Sequence, residues 1–297
     1  MSLDYIRAGT TEDAIAALIR GGDDAKVVAG GTALVLMLQE GFIAPRYLVD
    51  IGRIAALGGI RDVGDAVIIG ATTTLWQVMT SPLVGRRLPV LVGALGRVAT
   101  VRIRSVATLG GNLAHGDPRL DPAAVLLALD ASVRLAGPDG ERWLGLEELF
   151  VDELTTAIGP AELVVEIRIP YPDPSSRLTY RKLVGQTMDD YGVVNVAARL
   201  DVDDGRCRDA RLVLGAVAAT PIRVPAAEAV LRGAGIGPAV IAQAAELARE
   251  AADPVGDLRG SAGYKCDMVV VEVRRALTEL ASGPGGPATP AGRWSDS

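Results

Sequence analysis

Histidine, cysteine and aromatic residues are scarce in this 297-residue chain. It contains one histidine, His115, and two cysteines, Cys207 and Cys266, which are far apart in the sequence. A four-cysteine iron–sulfur site or a structural zinc site cannot be built from this inventory. A histidine-based catalytic triad would have to use His115. Any redox chemistry would therefore come from a bound organic cofactor.

Long apolar runs and an excess of basic residues are also missing. No segment reaches the roughly 20 apolar residues that span a bilayer. Residues 1–5 do not begin the basic-then-apolar pattern of a secretory signal. The net charge of −6 argues against a nucleic-acid-binding surface. These absences predict a cytoplasmic protein with no transmembrane segment and no nucleic-acid partner.

Chain length and local composition predict two domains. A chain of 297 residues exceeds what one compact core usually holds. Residues 163–169 have the apolar and then alternating pattern of a strand, and Pro170, Pro172 and Pro174 interrupt it. We therefore place a boundary there and predict domains over residues 1–174 and 175–281. The tail, residues 282–297, is rich in Gly, Pro and Ser and is predicted to be disordered.

Local signals predict most helices and strands. Thr10 and Thr74 each begin a helix with a capping-box pattern. Asp203-Asp204-Gly205 is a turn sequence that joins two strands, over residues 193–202 and 207–218, into a hairpin. Further strands are predicted over residues 26–28, 47–51, 66–69, 163–169 and 179–184. Further helices are predicted over residues 89–98, 226–231, 239–252 and 261–281.

The first segment with a chemical signature is residues 29–34, directly after a strand. Gly30 and Gly31 allow positive φ and close approach to a ligand, so that successive N–H groups can converge on a diphosphate. Thr32 adds a hydroxyl. The segment has neither the lysine of a P-loop nor the third glycine of the dinucleotide fingerprint. If it stood alone, an ordinary strand-to-helix turn would be the better interpretation.

The second segment, residues 108–122, repeats the Gly-Gly pair. Gly110 and Gly111 are followed by Asn112, whose amide can both donate and accept hydrogen bonds. Asp121 and Pro122 have the pattern of an N-cap and a first helical residue. The Asp121 carboxylate could also accept hydrogen bonds from sugar hydroxyls, although the local pattern alone favours the cap.

The two Gly-Gly segments together indicate more than either does alone. Each precedes a small polar residue, both lie in the first predicted domain, and neither has the lysine of a P-loop or a set of metal ligands. This combination suits an extended, diphosphate-containing cofactor that is held mainly by backbone groups. FAD fits this description, because its diphosphate accepts N–H donors and its ring needs an apolar slot.

With these segments, the chain resembles the FAD-binding subunits of molybdenum hydroxylases. These are relatives of the carbon monoxide dehydrogenase medium subunit and of the flavin domain of xanthine dehydrogenase. The resemblance extends from about residue 4 to residue 280. The segments that match are Ala29-Gly30-Gly31-Thr32, Thr108-Leu109-Gly110-Gly111-Asn112 with Asp121, Glu162-Leu163-Val164, Tyr180-Arg181-Lys182-Leu183, Asp190-Tyr191-Gly192, Gly260-Ser261-Ala262-Gly263-Tyr264-Lys265 and Arg274-Arg275-Ala276-Leu277.

The resemblance implies an α+β fold. It would consist of an FAD-binding domain of the vanillyl-alcohol-oxidase (PCMH) type, followed by a small domain with a three-stranded sheet and helices. It also implies an oxidoreductase that assembles with a small iron–sulfur subunit and a large molybdopterin-binding subunit. Electrons would pass from the partner's [2Fe–2S] clusters to FAD on this chain. NAD⁺, oxygen, a quinone or another external acceptor would then reoxidise the flavin.

The resemblance further assigns roles to individual residues, with no metal ligand and no catalytic residue on this chain. Asp121 would bind a flavin or ribose hydroxyl, and Leu163 and Val164 would pack on the adenine or along the cofactor. Lys182 would reach the isoalloxazine region, where a cation stabilises negative charge on the reduced ring, and Tyr191 would lie beside the ring. The diphosphate and ribityl chain would be held by Ala29, Gly30, Gly31, Thr32, Ala33, Leu34, Thr108, Gly110, Gly111 and Asn112.

Simpler interpretations exist for several of these residues. On pattern alone, Lys182 would be a surface lysine on an edge strand, and Tyr191 a core aromatic at the start of a strand. His115 would order its loop by hydrogen bonding. Arg102 and Arg104 could face an anionic partner, but a solvated strand face is the better prediction.

Two rival functions follow from the same residues. A free-standing flavin-dependent oxidoreductase would need its own acid–base pair, and only His115 is available as a histidine. Purification as a stable, active single chain would favour it. A cofactor-free scaffolding subunit would not need the Gly-Gly segments, Asp121 or Lys182. Colourless protein that still assembles with a large subunit would favour that alternative.

Overall fold

A computed structural model describes residues 3–283 and contains both helices and sheets, in agreement with the α+β prediction. The tail predicted to be disordered lies outside the described residues from position 284 onward. The strands are β1 (Asp4–Arg7), β2 (Ala25–Val28), β3 (Tyr47–Asp50), β4 (Ile60–Asp62), β5 (Ala66–Gly70), β6 (Ser132–Gly137), β7 (Gly140–Gly145), β8 (Phe150–Asp152), β9 (Thr155–Thr156), β10 (Leu163–Pro170), β11 (Ser176–Val184), β12 (Gly192–Asp203), β13 (Arg206–Gly215) and β14 (Ile222–Arg223). The helices are α1 (Thr11–Gly21), α2 (Leu34–Gln39), α3 (Leu75–Thr80), α4 (Pro82–Arg87), α5 (Pro89–Leu95), α6 (Val101–Arg104), α7 (Leu109–His115), α8 (Asp121–Ala128), α9 (Leu146–Leu149), α10 (Pro225–Leu231), α11 (Pro238–Ala251) and α12 (Ala262–Ala281).

The first sheet has three parallel strands in the order β1-β3-β2. The capping box predicted at Thr10 is confirmed, because its hydroxyl accepts from the Asp13 N–H and the Asp13 carboxylate accepts from the Thr10 N–H, each at 3.1 Å. Helix α1 then buries one apolar face against this sheet. The chain leaves β2 at Val28 and enters the first Gly-Gly segment, so this sheet positions that segment.

The second sheet has five antiparallel strands in the order β4-β5-β10-β6-β7. Helices α3, α4, α5, α7 and α8 pack apolar residues against it and form a shared core. All eight residues of α8 are buried, as expected for a helix that is apolar on all sides and packs between layers. The central strand β10 begins at Leu163, which places Leu163 and Val164 at one end of this sheet.

The third sheet is antiparallel with the order β11-β12-β13-β14, one strand more than the three predicted. The extra strand arises because the chain turns back after β13 and pairs Ile222 with Leu214 and Arg223 with Val213. The predicted hairpin of β12 and β13 is confirmed. At its turn, Asp204 and Gly205 have φ of 44° and 75°, as two-residue hairpin turns require.

The division into domains at residues 174 and 175 stays a prediction. Helices α10, α11 and α12 form a separate apolar core with β12 and β13. However, Tyr180, Ala197 and Val213, from the far side of the predicted boundary, pack into the core of the second sheet. The two parts therefore share a packed interface, and α8 lies against both β12 and β13.

Among the helices that the sequence analysis did not predict, two change earlier interpretations. Residues 101–104 form α6, so the solvated strand face proposed for Arg102 and Arg104 is wrong. Arg104 turns back and donates to the carbonyl oxygens of Val98 and Ala99. Residues 109–115 form α7, so Gly110 and Gly111 lie in the first turn of a helix and not in a loop.

Two features are absent from residues 3–283. No helix in this part of the chain is long and apolar enough to cross a membrane. The same residues include no group of three or more His, Cys, Asp or Glu side chains that could hold a metal ion.

Candidate cofactor site

A cavity of about 710 Å³ lies where the first sheet, α7 and the start of β10 meet. The structure brings all fifteen of the predicted site residues to its wall, although they come from six separate stretches of the chain. They are Ala29, Gly30, Gly31, Thr32, Ala33, Leu34, Thr108, Gly110, Gly111, Asn112, Asp121, Leu163, Val164, Lys182 and Tyr191. Contact of each residue with a cofactor stays a prediction.

The first Gly-Gly segment forms a tight turn between β2 and α2. Gly31 has φ of +69°, a conformation that glycine adopts without steric cost. Gly30 is needed for a different reason: a Cβ at this position would lie 2.0 Å from the Val106 carbonyl oxygen. Within residues 3–283, the N–H groups of residues 30–33 donate to no protein acceptor. The turn therefore presents a row of backbone donors to the cavity.

The second Gly-Gly segment does not form the expected group of converging backbone N–H donors. Thr108 is the N-cap of α7, and its hydroxyl accepts from the Gly111 N–H at 3.2 Å. The N–H groups of residues 109, 110 and 112 donate to carbonyl oxygens at 2.9 to 3.0 Å. Gly110 is required by packing, since its Cβ would lie 2.5 Å from the Ala71 Cβ. This segment lets α7 approach Ala71 closely and does not offer free N–H groups from these residues.

Asn112 is the polar group that the second segment offers to the cavity. Its side-chain oxygen Oδ1 is buried and has no hydrogen-bond partner among the described residues. A buried polar atom without a partner costs about 1–3 kcal/mol, so such an atom at a cavity wall indicates a ligand donor. Hydroxyl groups of a ribityl chain or a ribose are donors of this kind.

Asp121 is the centre of a buried polar cluster and does not act as the predicted N-cap. Leu120 occupies the N-cap position, and Asp121 is the first residue of α8. Its carboxylate accepts hydrogen bonds from the Tyr180 hydroxyl and, at 2.9 Å, from Lys182 Nζ. Lys182 Nζ also donates to the Arg97 carbonyl oxygen at 2.9 Å. The cluster joins α8 to β11 across the predicted domain boundary.

The cluster is largely shielded from water. Asp121 is 4% exposed and Lys182 is 8% exposed, so the interpretation of Lys182 as a surface lysine is wrong. Burial raises the pKa of Asp121, an effect that Lys182 and Tyr180 only partly offset. Burial, together with the Asp121 carboxylate, also raises the pKa of Tyr180 well above its usual value. Tyr180 therefore stays a neutral donor to Asp121.

Tyr191 lies at the edge of the cavity and is 45% exposed, so it is not a core aromatic. The guanidinium carbons of Arg119 and Arg259 lie 5.8 and 5.5 Å from its ring centroid, within the range of cation–π contacts. Burial of the hydroxyl end raises the pKa of Tyr191. Leu163 and Val164, 2% and 7% exposed, supply apolar wall elsewhere in the cavity.

His115 is at the end of α7 and also lines the cavity. Its ring makes no hydrogen bond within the described residues, so it does not order the loop in the predicted way. Burial lowers the pKa of His115, and the nearby Asp117 opposes this shift. The imidazole is therefore neutral at pH 7.

Sequence reasoning missed two contributors to the site. Tyr180 holds Asp121, and the alternation of β11 could have revealed it, because residues two apart on a strand share a face and Lys182 follows at that spacing. Glu162 lines the cavity and forms a two-pronged ion pair with Arg142, at 2.8 and 2.7 Å. No local pattern pairs residues that lie 20 positions apart.

Comparison with known proteins defines the class. Residues 1–172 match the family of the FAD binding domain in molybdopterin dehydrogenase. Residues 178–280 match the CO dehydrogenase flavoprotein C-terminal domain. The chain therefore belongs to the FAD-binding subunits of the molybdopterin dehydrogenases, and it is an oxidoreductase component.

Individual relatives are similar over nearly their whole length. The chain is 36% identical to the 6-hydroxypseudooxynicotine dehydrogenase complex subunit alpha of Paenarthrobacter nicotinovorans, over 94% of each chain. It is also 36% identical to the carbon monoxide dehydrogenase medium chain of Afipia carboxidovorans, over 93% of this chain and 96% of the relative. A solved carbon monoxide dehydrogenase from Hydrogenophaga pseudoflava superimposes with a TM-score of 0.93 at 35% identity, covering 95% of this chain and 98% of that one.

Proposed function

We propose that this chain binds one FAD in the 710 Å³ cavity and serves as the electron-transfer subunit of a molybdenum hydroxylase. One observation supports this most. The free N–H groups of residues 30–33 and the unpartnered Oδ1 of Asn112 belong to residues that line the same cavity. These groups suit a ligand that carries both a diphosphate and sugar-type hydroxyls. FAD is such a ligand, and it supplies reversible uptake of an electron pair.

In this proposal each part of the cavity has a separate task. The turn at residues 30–33 holds the diphosphate with backbone donors, and Thr32 adds its hydroxyl. Asn112 accepts from the sugar-like chain, and Leu163 and Val164 cover an apolar part of the cofactor. Lys182 and Asp121 would supply a fixed, water-excluded ion pair in the isoalloxazine region. Tyr191 covers the ring at the cavity edge.

The proposed fold and partners follow from the same family membership. Residues 1–174 would form an FAD-binding domain of the vanillyl-alcohol-oxidase (PCMH) type, and residues 175–281 a flavoprotein C-terminal domain. Electrons would arrive from [2Fe–2S] clusters of a small partner subunit, after substrate oxidation on a large molybdopterin-binding subunit. They would leave to an external acceptor. Relatives named as a medium chain and as a complex subunit support assembly with partners.

The alternative is a free-standing flavin-dependent oxidoreductase. It would need an acid–base pair at the cavity, and the single histidine, His115, makes no hydrogen bond to another described side chain. Asp121, the buried carboxylate of the cavity, is already bound by Lys182 and Tyr180. The subunit function is therefore favoured. Activity of the purified single chain, without partners, would favour the alternative.

The direct test is the FAD content of the full chain after co-expression with its partner subunits. FAD released by denaturation is measured against protein concentration, and we expect about one FAD per chain. Protein that repeatedly assembles with its partners but remains colourless would overturn the proposal.

An exposed apolar patch lies next to the Gly30-Gly31 turn and offers a docking surface for the small iron–sulfur subunit. None of the residues of α2 is buried. Phe42, which folds back on α2, is 77% exposed, and Val35 and Val106 are 44% and 49% exposed. Contiguous apolar patches mark interaction surfaces. Residues Leu34 and Met37 of α2 line the cavity, so a partner seated here would lie directly beside the cofactor site.

We expect Phe42→Glu to weaken assembly with the iron–sulfur subunit, because it places a charge in an apolar interface. Phe42 does not line the cavity, so FAD content should be unchanged. The dissociation constant, measured by titrating the two subunits, should rise at least about tenfold. Val151→Glu, at a residue that is 61% exposed on β8, is the control. Equal affinities for the two variants would exclude the patch as the docking surface.

A further inference from the structure

The start of α12 holds a neighbouring turn through a buried lysine. Lys265 is 5% exposed. Its Nζ donates to the Val255 carbonyl oxygen at 2.8 Å and pairs with Asp257 Oδ1 at 3.0 Å. Backbone hydrogen bonds in both directions between Asp257 and Gly260 close the turn. Because a buried ammonium needs a partner for its charge, Lys265 fixes the position of Asp257.

The same turn carries Arg259 to the edge of the cofactor cavity. Asp257 Oδ1 accepts from the Arg259 backbone N–H at 2.8 Å, so the turn that Lys265 fixes also sets the direction of Arg259. The Arg259 guanidinium donates to Asp190 Oδ1 at 3.1 Å and lies 5.5 Å from the Tyr191 ring centroid.

Arg259 therefore reaches Tyr191 by two routes. One is the contact with the ring. The other passes through Asp190, whose Oδ1 also accepts from the Tyr191 backbone N–H at 2.7 Å. Arg119, itself paired with Asp117 at 2.8 Å, is a second cation near this ring, 5.8 Å from its centroid. Tyr191 stands at the end of the loop 185–191, between elements β11 and β12.

We propose that the segment from Asp257 to Lys265 is a positioning device for Tyr191, acting through Arg259 and Asp190. Lys265 fixes the turn, the turn aims Arg259, and Arg259 holds both the backbone and the ring of Tyr191 at the cavity edge. The assignment of Tyr191 to the flavin edge rests on the proposed function. The mechanical link between Lys265 and Tyr191 does not.

The first test needs no cofactor. Hydrogen–deuterium exchange of the full chain is followed by mass spectrometry for the peptide covering residues 186–192. We expect Arg259→Gln to speed exchange there about tenfold, because an ion pair and a cation–π contact that hold the loop are lost. Arg259→Lys should restore part of the protection.

Arg274→Gln is the matched control. Arg274 lies on the same helix as Lys265 and also forms a 3.1 Å ion pair, with Glu246, but that pair joins α12 to α11. The Arg274→Gln substitution should leave the exchange rate of residues 186–192 unchanged. Wild-type exchange rates in Arg259→Gln, or an equal increase in Arg274→Gln, would overturn the proposal.

The second test uses the FAD-loaded chain. In Arg259→Gln and Lys265→Met, iodide should quench flavin fluorescence severalfold more strongly than in the wild type, at unchanged FAD content. A chain that binds no FAD would refute the proposed function and leave the exchange result valid. Faster exchange without any change in quenching would show that Tyr191 does not cover the flavin, and would overturn the functional part of this inference.

Discussion

Replacing Gly30 with alanine is expected to abolish FAD incorporation. The added Cβ would lie 2.0 Å from the Val106 carbonyl oxygen and 2.8 Å from its carbonyl carbon. Both are backbone atoms that cannot rotate away, so the turn or the 106–107 segment must move. Either movement disrupts the row of N–H donors at residues 30–33. FAD released per chain by denaturation should fall to near zero.

Gly85→Ala provides the matched control for this substitution. Gly85 lies within α4, and a Cβ there would meet nothing within 4 Å. Alanine in a helix is favoured over glycine by about 0.5–1 kcal/mol. This variant should therefore keep its full FAD content and become slightly more stable. A Gly30→Ala protein with the FAD content of Gly85→Ala would contradict the role given to the first Gly-Gly turn.

The second large effect is expected for Asp121→Ala. Removing this carboxylate leaves the Lys182 ammonium buried without its counter-charge and leaves the Tyr180 hydroxyl without its acceptor. Breaking a buried ion pair in this way costs about 3–5 kcal/mol. The free energy of unfolding, measured by urea denaturation, should fall by that amount, and FAD content should fall with it.

Two further variants test whether the loss of stability comes from the buried, unpaired charge and not from the loss of any ion pair. Asp65→Ala removes the partner of Arg168, but the side chain of Asp65 is 74% exposed, so it should cost less than about 1 kcal/mol. The double variant Asp121→Ala/Lys182→Met should be more stable than Asp121→Ala, because the unpaired ammonium is gone. Similar losses for Asp121→Ala and Asp65→Ala would show that the cluster is not a coupled buried ion pair.

Local patterns in the sequence were enough to predict features that short segments determine by themselves. The capping boxes at Thr10 and Thr74 and the turn at Asp204-Gly205 each depend on a few adjacent residues, and all three are present. The first Gly-Gly turn belongs to the same class, since Gly31 needs positive φ. The resemblance to a known family supplied the grouping of distant site residues, which no local pattern could provide.

The features that the sequence did not reveal depend on tertiary contacts. Gly110 and Gly111 suggested a loop, yet the Thr108 cap and the close approach to Ala71 make a helix of this segment. Asp121 had the pattern of an N-cap, but Tyr180 and Lys182, about 60 positions away, take its carboxylate. Lys182 had the pattern of a surface lysine on an edge strand, but its ammonium is buried in contact with the distant Asp121. Each error arose where a contact between distant segments overrides a local preference.

The central claim is that FAD on this chain takes up electrons within a larger complex. The most direct measurement is an anaerobic dithionite titration of the complex with its partner subunits, carried out for the wild type and for Gly30→Ala. The wild-type complex should take up about two more electrons per copy of this chain than the variant complex, with loss of the visible flavin absorption. Equal electron uptake by the two complexes would contradict the claim.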